Sequence, residues 1–547
     1  MTAQKQWFSA YIRGGDLRNL QRFRNGAARA AAACFFALAL SAVASAQTLS
    51  CPVNSDVTVS SSSNNVASSC IIEFGVTLTI GSTGDLVNVG PSGSGILENN
   101  GTFLNDGNFQ NKPLQTFTNF GAVFNNNTMD IGGGTFTNAS IFDNFGTVAD
   151  GSFGDGTLNN AATFTNDGTL NLADTVNNSV GAHFYNAGFL SLSLGNSVFA
   201  PVTTNNGTFT NLTGAVLENG TTFTNNGSLI NDGTLENGKS QRLFANFEQA
   251  TLTNNGTITN NSTGTITNTG ALGQFILNNG TFDNYGTLVN GSSVSNSVLD
   301  IFDNNTTGSL INETGAALTV SGGALRNFGS LTNKGAITVN GGFLLLSGTS
   351  SNSMGSTFIQ TAGATEIDGI LNSVPAVQIQ GGTLLGFGTI NGNVNNTVGI
   401  VEPGDNGSPG FLSINGNYQQ GSGGTMTIQL EGASPSDFGV LDVTGLASLD
   451  GTVDFTTVGG FTPVAGDDFT FLLFGSLSGN FTNIDFTNWT CPTGDSCTEV
   501  LGANSLSLDI TGPHTAPTPE PSSLLLLGTG ILVIARFFRW KRVPGVR

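Results

Sequence analysis

The chain has 547 residues, of which 10% are charged, 38% are hydrophobic and 76 are glycine. This is too apolar for a disordered linker, and ordinary globular chains carry about 25% charge. Between 30 and 535 only five basic residues face 35 acids, and a net charge near −30 excludes nucleic acid and anionic membrane as partners of the body.

The first 46 residues read as a secretion signal. Lys5, Arg13, Arg18, Arg22, Arg24 and Arg29 precede an apolar run from Ala30 to Val43. Small residues at 44–46 then predict cleavage between Ala46 and Gln47. Cys34 leaves with that segment, so four cysteines remain. An even count after an export signal predicts disulfides. Of the three connectivities, local pairing is expected: Cys51 with Cys70, stapling an N-terminal cap over 47–75, and Cys491 with Cys497, near the last strands.

From 76 to 410 the chain cycles through units of the form Asn-x-Gly-Thr-Φ-x-Asn, where Φ is Phe, Leu, Ile or Val. The stretch 278–291, NNGTFDNYGTLVNG, holds two of them. One apolar side chain between polar neighbours is the period of a half-buried strand. Asn-Gly and Asp-Gly supply corners, and the glycines are expected there for positive φ. Strands this short bury little as hairpins. Stacked coils pair each strand with its equivalent in the next coil and join the Φ residues into a continuous column. The expected fold is therefore all-β, a right-handed parallel β-helix of about 15 coils, roughly 70 Å long at about 4.8 Å per coil. Phe282 and Leu288 are expected inside, Gly280 and Gly286 at corners, and the repeated asparagines in amide ladders.

The segment 381–432 contains Gly-Gly-Thr-Leu, then Gly-x-Ile-x-Gly-Asn-Val, Pro403-Gly404, Ser408-Pro409-Gly410, and Ile414-Asn415-Gly416-Asn417-Tyr418. It resembles the passenger-associated repeat of autotransporter proteins, and 437–475 continues the pattern. The resemblance implies a β-helix ending in a β-rich segment, here 411–512. Nothing resembles a translocator barrel, so self-translocation is not implied.

Residues 513–547 change character. Pro519-Glu520-Pro521 is followed by Ser522-Ser523, an apolar run beginning at Leu524–Leu527, and the basic residues Arg536, Arg539, Lys541 and Arg542. The apolar stretch 522–535 has 14 residues, about 21 Å as a helix against a bilayer core of roughly 30 Å. The basic end predicts a cytoplasmic terminus and a body outside. The tail resembles the PEP-CTERM sorting signal of Gram-negative bacteria. That resemblance implies recognition and cleavage by an exosortase, a transient inner-membrane anchor through the C-terminal helix, and delivery to the outer surface or an exopolysaccharide matrix.

No catalytic constellation stands out in the sequence. His183 is solitary in its repeat, and His514 lies in the tail spacer. No Walker, Rossmann or His-Glu-x-x-His pattern is present. Asp300 with Asp303, and Asp467 with Asp468, are the candidate acid clusters for a polysaccharide lyase or hydrolase, and each also reads as a solvated turn. Acid-rich turns raise the question of calcium, but no loop fits an EF-hand or a Gly-Gly-x-Gly-x-Asp nonapeptide. The sequence predicts no metal, no cofactor and no enzyme. It predicts a structural or adhesin-like solenoid touching exopolysaccharide or neighbouring surface proteins, with a carbohydrate-active β-helix enzyme as the alternative.

Overall fold

The computed structural model describes residues 49–61, 64–66, 69–88, 95–149, 156–173, 175–193, 202–238, 250–269, 273–291, 300–354, 356–405 and 407–512. The signal segment, the cleavage pair and the whole sorting tail lie outside them. Among the described residues the secondary structure is strand throughout, and no helix is long and apolar enough to cross a membrane.

The repeat unit folds as a four-residue strand. In Thr102–Asn105 and Thr281–Asn284 the first and third side chains point outward, and the second and fourth are buried. From Thr77–Ile80 to Ala317–Val320 each strand pairs in parallel with the third strand after it, residue for residue. Thr257 to Asn260 lies beside Thr281 to Asn284, which lies beside Ser309 to Asn312. Three strands therefore make one coil, and the coils stack as a parallel β-helix with three faces. We call these the first face (through Thr281–Asn284), the second (through Thr287–Asn290) and the third (through Ile301–Asn304). From Thr77–Ile80 to Thr389–Asn391 the first face contains fifteen strands among the described residues, an axial length of about 70 Å.

Parallel coils extend beyond 76–410 on both sides. Val57–Val59, inside the expected cap, already pairs with Leu78–Ile80, and Asn483–Thr487 still pairs in parallel with Thr452–Thr457. Within the expected β-rich segment the direction changes at an isolated Leu430–Phe438 bridge and in the final hairpin. Ser505–Thr511 runs antiparallel to both Asp468–Leu473 and Ser496–Leu501, so it covers the edge of the parallel ladder along 468–473. The Pro403 to Gly410 motif makes a small antiparallel step, Gly404 opposite Pro409, within an otherwise parallel coil.

The interior is a set of in-register columns. Phe282 and Leu288 are fully buried, as is every Φ position in the neighbouring coils. Where successive coils carry phenylalanine, register stacks the rings. Phe142, Phe164, Phe184 and Phe209 lie 4.4, 4.6 and 4.6 Å apart, within 15° of parallel.

The fourth position of the strand is also inside. Asn231 is 0% exposed. Its Nδ2 donates to Asn260 Oδ1 in the next coil (2.8 Å) and to the Gly233 and Thr265 carbonyls, while its Oδ1 accepts from Asn211 (2.8 Å). This ladder runs along the first face from Asn105 to Asn352, and a second follows the third face from Asn99 to Asn327. On the second face it is interrupted, because Ile131, Leu172 and Leu192 occupy the asparagine position. A buried amide costs free energy unless its hydrogen bonds are made. The periodic backbone meets that condition, since each amide finds the next one and a carbonyl at the same offset.

The corner glycines depart from expectation in their reason. Gly280 and Gly286 do sit at corners, but neither has a positive φ. A Cβ on Gly280 would lie 2.1 Å from the Gly256 carbonyl oxygen, and one on Gly286 2.3 Å from that of Gly264. Turns stack on turns more closely than side chains allow. Positive φ belongs to other glycines, such as Gly181, Gly214 and Gly315, where nothing lies within 4 Å of the missing Cβ.

Cys51 is bonded to Cys70, and Cys491 to Cys497. The first bridge spans 19 residues and joins the leading segment, where Val53 bridges Ile72, to the first coil. Closing a loop of that length is worth about 3 kcal/mol. Coils interact with their nearest neighbours, so reduction is expected to raise amide hydrogen exchange at 53–72 and leave 200–350 unchanged.

Candidate functional site

Outward positions, the first and third of each strand, give the three faces different surfaces. On the first face Phe124, Asp143, Thr165, Tyr185, Thr210 and Ile230 form one row in register. Thr165 and Thr210 flank Tyr185 and are only 3% and 7% exposed although they point away from the core. Tyr185 lies parallel to exposed His183, centroids 5.9 Å apart, and burial pushes its hydroxyl pKa up. His183 is thus part of an aromatic platform, and among the described residues no carboxylate or cysteine is paired with it.

The third face is different. Its strands are Thr-Phe-Thr-Asn at 116–119 and 135–138, Thr-Leu-Asn-Asn at 157–160, Thr-Val-Asn-Asn at 175–178, Val-Thr-Thr-Asn at 202–205, Thr-Phe-Thr-Asn at 222–225 and Thr-Leu-Thr-Asn at 251–254. They pair without a register shift. Every outward residue in these strands is uncharged. At the adjoining corner Asn226 donates to Asn206, Asn255 to Asn226, Asn279 to Asn255 and Asn305 to Asn279, at 2.6–2.9 Å, which forms an exposed amide row.

Further along the same face acids gather. Glu366 and Glu402 occupy one outward row with Leu385 between them, two coil steps or about 10 Å apart. Burial, then the hydrogen bond and charge of Asp368, raise Glu366 to about 7. Burial also raises Glu402, which accepts a hydrogen bond from Gln429, and Asp454. Sequence reading missed this row because its members are about a coil or more apart along the chain. Acids two coils apart along one row, Glu366 and Glu402, are the signal that would have found it. A carboxyl whose folded pKa is raised stabilises the fold at low pH, and that stability is lost as pH rises through the folded value. The melting temperature of the C-terminal coils is therefore expected to fall between pH 4.5 and 8, and Glu366→Gln is expected to flatten the profile.

The acids singled out in the sequence have structural partners. Asp303 makes a two-pronged pair with Arg326 (2.6 and 2.6 Å), and buried Asp300 accepts the Gln274 amide (2.9 Å). Asp467 accepts the Val464 amide in a turn (2.8 Å). Asp468 faces Asp509 across the antiparallel pair, and burial followed by the Asp468 charge raises Asp509. Lys334 is engaged by Glu313 (2.8 Å). Among the described residues no group of three or more histidines, cysteines or acids is placed to hold a metal.

Residues 517–542 match the family model of the PEP-CTERM protein-sorting motif. The chain carries a PEP-CTERM sorting motif. This motif marks an exported protein sorted by an exosortase. Pro519, Glu520 and Pro521 and the basic residues Arg536, Arg539, Lys541 and Arg542 all fall within the matched PEP-CTERM span. Those residues, together with Ala46 and Gln47, lie outside the described residues. Compared with the curated proteins, the chain has no significant match.

Proposed function

We propose that the protein is a non-catalytic structural or adhesin-like rod of the cell surface or extracellular polysaccharide matrix. It would be exported by an N-terminal signal cleaved at Ala46–Gln47, held transiently at the inner membrane by its C-terminal helix, and sorted through its PEP-CTERM tail. The observation that supports this most is a sorting motif attached to a long solenoid whose outer rows repeat from coil to coil. A repeating surface favours many weak contacts with a polymer over one strong one. Phe124 and Tyr185 on the first face suit stacking of sugar rings. Deleting the gene is expected to alter adhesion and matrix composition, and an unchanged matrix would contradict the role.

The raised carboxyls Glu366 and Glu402 favour a second reading, a glycan-cleaving site with a protonated acid and a second carboxyl two coils along the same row. Release of reducing sugar from a polysaccharide panel, abolished by Glu366→Gln, would establish it over the first.

A further inference from the structure

We propose that the third face between Thr116 and Thr253 binds ice. A crystalline ligand asks for a surface that repeats in two directions, and this face does so. Outward positions recur about 6.7 Å apart along each strand and about 4.8 Å from coil to coil, close to oxygen repeats of the ice lattice. Seven consecutive coils keep that grid without a bulge. Threonine occupies most of it, and its stiff χ1 fixes the hydroxyl and the methyl relative to the backbone. Hydroxyls such as those of Thr137, Thr204, Thr224 and Thr253 take no hydrogen-bond partner among the described residues, so they are left for water.

Two further observations set this face apart. It is uncharged over these coils in a strongly acidic body, whereas the same face carries Glu98 before them and Asp303 after. Ionised side chains organise water around themselves and disrupt a lattice. The exposed row from Asn206 to Asn305 overlaps the later coils of the grid and adds a polar line in register, held rigid by its own hydrogen bonds. A soluble glycan chain would favour aromatic rings to stack on, and the outward rows between Thr116 and Thr253 contain none. Rigid, pre-ordered groups lose little entropy when water freezes onto them, so many weak contacts add.

The test uses the exported protein purified from its host, in frozen droplets annealed just below the melting point. Native protein is expected to arrest the coarsening of ice grains and to coat a growing ice hemisphere, while serum albumin at equal concentration does neither. Thr137→Lys and Thr224→Lys change outward side chains in the grid and are expected to lose both effects with an unchanged unfolding midpoint. Thr267→Lys, outward on the second face, is expected to keep both. Native protein that behaves like albumin would overturn the proposal, as would equal loss in Thr267→Lys. Co-sedimentation with crystalline cellulose or chitin, abolished by Thr224→Lys and without any effect on ice, would overturn it and assign the face to a crystalline polysaccharide.

Discussion

Gly280→Ala is expected to cost about 3 kcal/mol of unfolding free energy, the upper end for a forced overpacking. The new Cβ would meet the Gly256 carbonyl oxygen at 2.1 Å. That oxygen accepts the Thr281 amide at 2.9 Å, so it cannot move without breaking the ladder. No side chain is available to give way, because backbone is packed against backbone. The matched control is Gly315→Ala. Gly315 has φ +84 and open space at its Cβ position, so only left-handed strain of about 1 kcal/mol applies. Equilibrium urea unfolding of the two variants measures the difference. Equal costs would mean that the corner glycines serve backbone conformation, as the sequence alone suggested, and that close stacking is unimportant. Hydrogen exchange should place the damage in the Gly280 variant at 254–257 and 278–281, the two turns in contact.

Asn231→Ala is expected to cost about 4 kcal/mol, because it strands several buried groups at once. Asn211 loses one of its two amide acceptors and keeps the Thr234 carbonyl, Asn260 Oδ1 loses its donor, and the Gly233 and Thr265 carbonyls each lose a side-chain donor, Gly233 keeping the Thr265 backbone amide. Water cannot replace these bonds where the side chain is 0% exposed. Asn226→Ala removes an equivalent pair of amide contacts, to Asn206 and from Asn255, but at an exposed corner. Water substitutes there, and the cost should stay below about 0.5 kcal/mol. The contrast in unfolding midpoints separates ladder burial from ladder formation.

Strand, spacing and coil were legible in the sequence because Thr-Φ-x-Asn repeats the geometry in every unit. Phe282 and Leu288 could be placed inside from period alone. The asparagines could be assigned to ladders from chemistry. Their full burial was not legible, because a residue type common in turns gives no sign of which side of the sheet it faces. The role of Gly280 was hidden for a related reason: composition shows that Cβ is unwelcome, not whether conformation or contact forbids it. Local cysteine pairing followed from spacing, whereas the start of the coils at Val57 did not, since 57–72 lacks the repeat phrase. The acid row of Glu366 and Glu402 and the threonine grid are products of coil register. They appear only when residues about a coil apart are aligned.

The central claim is that the rod is exported and sorted to the exterior through its PEP-CTERM tail. Fractionation of cells and matrix, with mass spectrometry of the protein's own termini, tests it most directly. The account predicts a surface or matrix species beginning at Gln47 and ending near Pro519–Pro521, without the apolar run or Arg536 to Arg542. An intact chain retained in the cytoplasm, or a full-length form with its tail still present at the surface, would contradict it.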